Sequence, residues 1–463
     1  IWLITAFHHT HKPLPEGTSF EGQIHEISEE NIEFLHDLTY NDESGEKIVE
    51  QEIFENVFQA VDQAEHFIIL DMFLFNTGYP GKEKLIPLTT TLKEKLIQKK
   101  KQNPDIEIVF ITDEINNFYG SYTSDEIKEL KENNIQVVIT DLTKLRDSNP
   151  WYSSIWRTYF QWFGTSCSGF LKHPLGNPDK EVTLRSYLKL LNTKANHRKV
   201  LVADSGNTTI SIVTSANPHD GSSMHSNTAL LIKDNSLALD IISSEKAVAE
   251  FSGGTISSFS LPHKESNSEI TAQFLTEGKI KENILEDINS MQENEEINLA
   301  MFYLSDRDII KSLIEADERG VKVKIILDPN KDAFAREKSG IPNRQVALEL
   351  LEKTQNLELR WFDTNGEQFH TKILILKKKD KTIIYTGSAN YTRRNLADLN
   401  LESIIKLVSQ ESTELSTEVI EYFNRIWTNE DAEFTLDFQE YKDTSKIKIL
   451  KYRLQEWSGF SSF

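Results

Sequence analysis

The chain is poor in cysteine and in positive charge. Cys167 is its only cysteine among 463 residues, so no disulfide can form within the chain and cysteine usage does not identify the cellular compartment. Lysine and arginine number 51 against 72 aspartates and glutamates, a net charge of −21, which argues against broad, non-specific attraction to nucleic acid or anionic lipid. No HExxH, CxxC or EF-hand spacing occurs, so we expect neither a metal nor any other cofactor.

The chain contains two copies of one polar motif. The first copy begins at His197 as HRKVLVAD and continues as TSANPHD, and the second begins at His370 as HTKILILK and continues as GSANYTR. A repeat of this length has to be recognised before a fold is assigned. A lone HxK is more often an ordinary surface edge of a strand, but agreement at five positions favours one symmetric anion site with a nitrogen nucleophile. The other matching pairs are Lys199 and Lys372, Ser215 and Ser388, Asn217 and Asn390, and Asn227 and Asn400.

Each copy has the pattern of a β-hairpin. The histidine and lysine of a copy are two positions apart, and residues two apart on a strand point to the same face. An apolar run follows, then a turn (DSGN or KKKDK) and a second β-rich run (TTISIVT or TIIYTG). Because a hairpin brings its end back level with its start, the serine and asparagine should lie beside the histidine of their own copy.

These residues resemble the phospholipase D superfamily, whose mark is HxKxxxxD followed by GSxN, usually present twice. His197, Lys199 and Asp204 fit the first motif completely. The second copy fits through five residues: His370, Lys372, Gly387, Ser388 and Asn390. The resemblance implies a catalytic site built from both copies.

Three positions depart from the superfamily pattern. Lys377 stands where the second aspartate is expected, and Thr214 replaces the glycine of the first GSxN. Superfamily members often place a carboxylate behind the catalytic histidine, and the resemblance implies Glu402 in this place for His370. The matching position of the first copy is Ala229, so the sequence does not identify the group that orients the first histidine.

The resemblance extends over roughly residues 45–430. AEHFIILDMFLF in the first half is similar to EEINLAMFYLSD in the second, and amphipathic helical segments separate the apolar strands. This alternation predicts an α/β fold. The resemblance implies two pseudo-twofold-related phospholipase D-type lobes, at 45–250 and 265–430, each a mixed β-sheet flanked by helices. The active site is then expected at the lobe interface of one monomeric chain, an internal pseudo-dimer.

The first lobe carries an insertion at about 145–195 that the second lobe lacks. Residues 144–199 contain ten lysines and arginines but three aspartates and glutamates. Two interpretations stay open, namely a subdomain with its own aromatic core, or a flap that contacts acyl chains or a membrane interface. The aromatic residues expected to make such contacts are Trp151, Trp156 and Trp162.

The two ends of the chain are predicted to lie outside the lobes. Residues 1–44 read as a short apolar start, IWLITAF, followed by a polar spacer, and we interpret the start as the end of a lost anchor or signal segment. Its seven residues cannot span a bilayer, which takes about twenty, and a short buried strand is the alternative. Residues 431–463 are predicted to add a hairpin or helix to the second lobe. On this reading the protein is membrane-associated and extracytoplasmic.

Cleavage of a phosphodiester requires a nucleophile, a proton donor for the leaving oxygen, and stabilisation of the developing negative charge. By resemblance, His197 is expected to be the nucleophile and His370 the general acid and base, although the reverse assignment stays open. Asp204 and Glu402 are expected to support them. The side chains expected to contact the phosphate are Lys199, Lys372, Asn217, Asn390, Ser215 and Ser388.

Three functions are compatible with these residues. The first is a phospholipid-directed phosphodiesterase or transphosphatidylase similar to cardiolipin synthases, with a phospholipid substrate and a membrane surface as partners. The second is a nuclease of the same superfamily, which the acidic composition disfavours but basic residues of the insertion, such as Arg157, Lys172 and Arg185, keep open. The third is an inactive binding protein with the same fold, suggested by the three departures.

Overall fold

The computed structural model describes residues 1–79, 81, 85–164, 168–175, 177, 180–262, 268–333, 336–410 and 412–461. Cys167 lies outside these described residues. Within the described ranges, no helix is both long enough and apolar enough to cross a membrane.

The strands form two large sheets and two small hairpins. In chain order they are β1 (His25–Glu26), β2 (Ile32–Asn41), β3 (Lys47–Glu50), β4 (Phe67–Met72), β5 (Glu107–Thr112), β6 (Gln136–Ile139), β7 (Leu171–Lys172), β8 (Glu181–Val182), β9 (Lys199–Ser205), β10 (Thr208–Thr214), β11 (Asn227–Ile232), β12 (Thr271–Thr276), β13 (Glu296–Met301), β14 (Lys322–Leu327), β15 (Asp332–Ala333), β16 (Arg336–Glu337), β17 (Glu358–Phe362), β18 (Lys372–Lys377), β19 (Lys381–Gly387), β20 (Ser403–Gln410) and β21 (Thr435–Asp437).

The helices lie between and around these strands. They are α1 (Trp2–His11), α2 (Ile53–Gln63), α3 (Leu88–Gln102), α4 (Asp125–Glu132), α5 (Pro150–Ile155), α6 (Leu184–Leu190), α7 (Asn235–Phe251), α8 (Glu277–Asn289), α9 (Arg307–Glu318), α10 (Asn343–Lys353), α11 (Arg393–Leu396), α12 (Glu414–Thr428) and α13 (Lys446–Ser458). A π-helical turn over Trp156–Phe160 continues α5.

The two large sheets have the same internal strand order. The first runs β3-β2-β11-β10-β9-β4-β5-β6, and the second runs β1-β12-β20-β19-β18-β13-β14-β17-β21. In each, the first three strands of the α/β run pair in parallel and the hairpin pairs antiparallel with the first of them. The predicted α/β class, with two lobes that are each a mixed sheet flanked by helices, is therefore confirmed.

One core layer joins the two lobes. It contains first-lobe residues such as Val200 and Val213 together with second-lobe residues such as Phe369 and Ile373. A fully buried arginine, Arg198, adds a polar tie, because its guanidinium pairs with Glu245 of the first lobe and Glu277 of the second. A charge removed from water this completely requires such partners, and here they lock the lobes together.

The structure corrects the interpretation of the N-terminal 44 residues as a spacer. Ile32–Asn41 forms β2, an inner strand of the first sheet between β11 and β3, and His25–Glu26 pairs with the second sheet. The apolar start is a helix, α1, and not a short buried strand. At the other end, β21 extends the second sheet beside β17 and α13 packs against α10, so the C-terminal extension adds a strand and a helix.

Candidate active site

Local hairpin geometry brings the motif residues of each copy together. In the first lobe β9 and β10 pair antiparallel with Val200 opposite Val213, which sets Ala216 level with His197. In the second lobe β18 and β19 pair with Ile373 opposite Thr386. The residues just before each hairpin and just after it therefore lie side by side, as the sequence predicted.

Backbone pairing across the interface then brings the two copies together. The amide of His197 donates to the carbonyl of Leu401, 2.9 Å away, and the amide of Ser226 donates to the carbonyl of Gln368 at 3.1 Å. Each histidine segment is thus paired with the segment that leads into a strand of the opposite lobe. The site is shared between the lobes at the level of the main chain.

His197 is held from behind by a carboxylate of the second lobe. Its Nδ1 lies 2.9 Å from the carboxylate of Glu402, which also accepts hydrogen bonds from the Ser388 hydroxyl and the Asn395 amide. When Glu402 is ionised its carboxylate only accepts, and this form places the proton on Nδ1 and the lone pair on Nε2. The expectation that Glu402 supports His370 is wrong, since the contact is made across the interface.

His370 is held from behind by a neutral amide of the first lobe. Its Nδ1 lies 3.0 Å from Oδ1 of Asn227, which accepts from the Ser215 hydroxyl at 3.0 Å while its amide nitrogen donates to the carbonyl of His225. Asn227 precedes Ala229 by two residues on β11 and therefore lies on the same strand face. The sequence signal for it was only that Asn227 recurs as Asn400.

The motif serines do not bind the ligand directly. Ser215 and Ser388 are both fully buried, and their hydroxyls are used by the groups behind the histidines. This corrects their expected role as substrate contacts. Each serine instead contacts the side chain that lies behind a motif histidine.

Two phenylalanines that sequence reasoning missed complete the symmetry. The ring of Phe73 lies 4.8 Å from that of His197, and Lys199 Nζ lies 5.1 Å from the same phenylalanine. In the second lobe Phe302 contacts His370 and Lys372 at 5.0 and 5.4 Å. The aligned segments DMFLF and AMFYL contain both residues, so the signal was present in the repeat.

The motif lysines are buried beneath the histidines. The ammonium of Lys199 donates to the carbonyl of His197 at 2.6 Å, and that of Lys372 donates to the carbonyl of His370 at 2.8 Å. Each of these bonds fixes the lysine in place but leaves the positive charge uncompensated by the carbonyl. Burial lowers the pKa of both ammonium groups, so a negative charge in the cavity favours their charged forms.

Burial and charge shift the protonation of the whole site. Burial lowers the pKa of His197 and of His370 well below the ordinary imidazole value, and the lysine charges lower both further. Burial lowers the pKa of Lys199 to about 7 and raises the pKa of Glu402 to about 8. A negative charge in the cavity offsets the burial of these cations and favours the protonated form of the histidines.

The histidines face a cavity of about 270 Å³. Asn217 and Asn390 lie on its wall, and the oxygen of Asn217 accepts from the amide of Leu74. The amide N–H groups of Asn217 are therefore the part of that side chain available to a ligand. No carboxylate occurs among the described residues that line the cavity, which also include Lys194, Lys338 and Arg394.

Residues 284–427 match the family model described as cardiolipin synthase, phospholipase D-like domain. The structure is similar to that of phosphatidylserine synthase from Haemophilus influenzae over 95% of this chain and 96% of that one, with 13% identity and a TM-score of 0.55. Residues 284–427 therefore contain a phospholipase D-like domain, and the similarity to the solved structure shows a shared fold over nearly the whole chain. A superfamily member from Salmonella typhimurium, Nuc, aligns with 35% of this chain and 95% of its own, at 22% identity and a TM-score of 0.28. No curated protein matches the chain.

The superfamily aspartate has a structural task in this protein. Asp204 lies at the far end of β9, where its carboxylate accepts backbone hydrogen bonds from Glu65, His66 and Phe67. It therefore ties the start of β4 to β9 and supports the sheet, not a histidine. Lys377 occupies the matching end of β18, opposite Glu296 on β13, so losing the second aspartate leaves the catalytic end untouched.

The missing glycine of the first GSxN is also explained locally. At Gly387 φ is +152°, and a Cβ there would lie 2.4 Å from the carbonyl oxygen of Ser403, so the second copy needs glycine. Thr214 occupies the corresponding place in β10 and its hydroxyl donates to the carbonyl of Thr228 at 3.1 Å. The first hairpin therefore accommodates a side chain that the second excludes.

The insertion folds as α5, the π-helical turn, a small hairpin and α6. Trp151 and Trp162 are exposed, but Trp156 is 5% exposed and lies beneath the guanidinium of Arg185. The expected membrane contact of Trp156 is therefore wrong, because its ring is part of the subdomain core. Arg157 is also buried, paired with Asp147, and is not available to nucleic acid.

Proposed function

We propose that this protein is a phospholipase D-type phosphodiesterase or transphosphatidylase that acts on phospholipids through a covalent phosphohistidine. One observation carries the proposal. Two histidines from two lobes lie on the wall of one cavity, and each has its Nδ1 occupied by a residue of the opposite lobe. Both Nε2 atoms are thereby left to serve the ligand, one as nucleophile and one as proton donor.

In the first step, Nε2 of His197 attacks phosphorus while the bond from phosphorus to the leaving alcohol oxygen breaks. His370, protonated, gives its Nε2 proton to that oxygen. Attack makes the His197 ring cationic, and Glu402 lies 2.9 Å from its Nδ1 to stabilise that charge. The amides of Asn217 and Asn390, with the two lysine charges behind them, stabilise the non-bridging oxygens.

In the second step, His370 is neutral and accepts a proton from the incoming acceptor. The acceptor oxygen attacks phosphorus, the bond from phosphorus to Nε2 breaks, and His197 returns to its neutral form. Water as acceptor gives phosphatidate, whereas an alcohol gives a new phosphodiester. Both outcomes use the same residues and differ only in which acceptor reaches the cavity.

The unequal supports favour His197 as the nucleophile. A carboxylate stabilises a cationic ring more than a neutral amide does, and the nucleophile is the ring that stays cationic throughout the intermediate. His370 is backed by the neutral Asn227, and burial together with the charge of Lys372 keeps the pKa of His370 low. A more acidic imidazolium transfers its proton more readily to a poor leaving group.

Product analysis tests this proposal. The protein is incubated with labelled phosphatidylglycerol, phosphatidylcholine or single-stranded DNA, each with and without added alcohol. We expect phosphatidate from lipid, a transfer product when alcohol is present, and a phosphatidyl group on His197 that survives an alkaline quench in mid-turnover and is lost in acid. Cleavage of DNA with no attack on lipid would instead establish the nuclease, and inertness toward all three would establish the binding protein.

Single and double histidine variants provide the matched control. His197→Ala and His370→Ala should each abolish turnover, and the double variant should be hardly slower, because residues that act as one unit are non-additive. Substantial activity in either single variant would contradict a shared site.

A further inference from the structure

The large apolar side chains that the described structure leaves exposed are concentrated in three segments. Five of them belong to residues 1–7, four to 151–163 and five to 447–460, whereas five more are scattered over the rest of the described surface. Exposed apolar groups scattered singly are ordinary, but a cluster of this size marks an interaction site.

The C-terminal helix α13 is apolar on two sides. Its inner side is used, since Tyr452 is buried against the second-lobe core. Its outer side bears Ile447, Leu450, Leu454 and Trp457, all exposed. Their spacing of three, four and three residues places them along one helix face. An exposed apolar face of this kind is typical of an interaction site.

The N-terminal helix α1 is the second apolar segment. Ala6 is its only buried residue, while Ile4 and Phe7 are 73% and 70% exposed. The insertion is the third, with Trp162 76% exposed at the end of its π-helical turn.

The three segments join into one surface through the start of the insertion. On one side, the indole of Trp2 lies 5.8 Å from that of Trp151 and donates to its carbonyl. On the other side, Gly459, just past α13, approaches Ser148 so closely that a Cβ would lie 1.8 Å from the serine carbonyl oxygen. We call the joined surface, formed by residues 1–12, 147–163 and 446–461, the apolar platform.

The charge of the platform is opposite to that of the protein. Residues 1–15 contain one lysine, three histidines and no acidic residue, in a chain of net charge −21. Residues 446–461 contain four lysines and arginines and one acidic residue, Glu456, whose carboxylate is turned inward to the hydroxyl of Ser305. Exposed tryptophans and aliphatic side chains bordered by lysine and arginine are the composition of a surface that lies in the headgroup region of a bilayer.

We propose that the apolar platform binds the surface of an anionic lipid bilayer and seats the catalytic cavity against the headgroups. Contacts at the cavity wall connect the platform to the catalytic cavity. Arg394 lines the cavity and donates to the carbonyl of Ser461 at the end of the platform and to that of Thr193. Ser148, inside the platform, donates to Thr193 as well. Only the seating rests on the proposed function, because lipid binding by the platform does not depend on catalysis.

Vesicle flotation of the full chain tests the platform. The decisive variant is Leu450→Ser/Leu454→Ser, which changes exposed residues of the outer α13 face. The matched control is Ile24→Ser/Leu239→Ser, which removes two exposed aliphatic residues outside the platform. Vesicles are phosphatidylcholine alone or phosphatidylcholine mixed with phosphatidylglycerol. We expect binding to the mixed vesicles, at least tenfold weaker in the α13 variant and unchanged in the control, because both leucines lose the apolar area that they bury in the bilayer.

Several outcomes would overturn the platform. These are absence of binding by the unaltered protein, equal binding by both double variants, equal affinity for the two vesicle types, or self-association on a sizing column that the α13 variant abolishes. Two measurements distinguish failure of the platform from failure of the proposed function. His197→Ala should bind vesicles as the unaltered protein does, and the α13 variant should keep its activity on a short-chain soluble phosphodiester.

Discussion

Replacing Glu402 with glutamine tests how the two lobes divide the chemistry. The carboxylate is fully buried and 2.9 Å from Nδ1 of His197. Glutamine has the same shape and keeps an oxygen that can accept from Nδ1, so the imidazole should stay in place. Burial raises the pKa of Glu402 to about 8, so what glutamine loses is the ability of this side chain to ionise when phosphorylation makes the ring cationic.

The expected loss of rate in Glu402→Gln follows from replacing a charged hydrogen-bond acceptor behind His197 with a neutral one. A bond to a charged group contributes about 1.5–3 kcal/mol and a neutral one about 0.5–1.5 kcal/mol. The difference between the two midpoints, about 1.25 kcal/mol, corresponds to a loss of about eightfold in the rate of the first step. The Michaelis constant should change little, because the charge on His197 develops only after the substrate has bound.

Leaving-group dependence provides the assay. Single-turnover rates are measured with a soluble aryl phosphodiester, whose leaving group needs no proton, and with an alkyl phosphodiester, whose leaving group does. Glu402→Gln should slow both substrates by about the same factor. Asn227→Ser is the matched variant at His370, and it should slow the alkyl substrate much more than the aryl one because only the general acid is disturbed.

The opposite pattern would assign the nucleophile to His370. The opposite pattern is a lower rate for the alkyl substrate alone in Glu402→Gln, and equally lower rates for both substrates in Asn227→Ser. It would show that the groups behind the histidines do not identify the nucleophile and the proton donor in the way proposed. Rates within twofold of the unaltered enzyme in both variants would show that the groups behind the histidines contribute nothing to the chemistry.

Three further predictions concern metals, the insertion and pH. Activity should survive thorough chelation, since lysine and asparagine supply the charge stabilisation, and an apoenzyme restored only by a divalent ion would contradict this. Trp162→Ser should weaken activity on vesicles but not on a soluble diester, whereas Trp156→Ala should lower the free energy of unfolding by about 3–5 kcal/mol, as measured by denaturant titration. Burial raises the pKa of Glu402 from 4.5 to about 8, so the folded state binds the extra proton and this group costs stability as pH rises over that range. The melting temperature of Glu402→Gln relative to the unaltered protein should therefore increase between pH 5 and 8, and a constant difference would contradict the raised pKa.

The parts of the site that could be predicted from sequence are those fixed by local geometry. His197 and Lys199 share a strand face because of the two-residue period, and the hairpin turn brings Asn217 back to them. Nothing beyond chain connectivity is needed for that argument. The same holds for the second copy, and the parallel strands of each lobe were recognisable as apolar runs between amphipathic helices.

The parts that could not be predicted depend on contacts across the interface. Glu402 follows the second hairpin in sequence, so the resemblance attached it to His370, yet its strand leads toward the first lobe and His197. Asn227 was visible only as a repeated residue with no role. Trp156 belongs to the same short segment as Trp151 and Trp162, and a π-helical turn at residues 156–160 changes which face each side chain occupies.

The positions of the three departures in the fold explain why they are compatible with an active site. Lys377 lies at the end of β18 away from the cavity, and Thr214 is accommodated by a hydrogen bond within its own hairpin. The hairpin register places Asn227, and not Ala229, at the position equivalent to Glu402, and Asn227 contacts His370. Two departures are therefore confined to the scaffold, and the third changes one support from charged to neutral. A protein that has lost its activity is expected to lose residues of the cavity wall. Here the change instead makes the groups behind the two histidines different, one charged and one neutral. A nucleophile and a proton donor have different requirements, so this difference is compatible with activity.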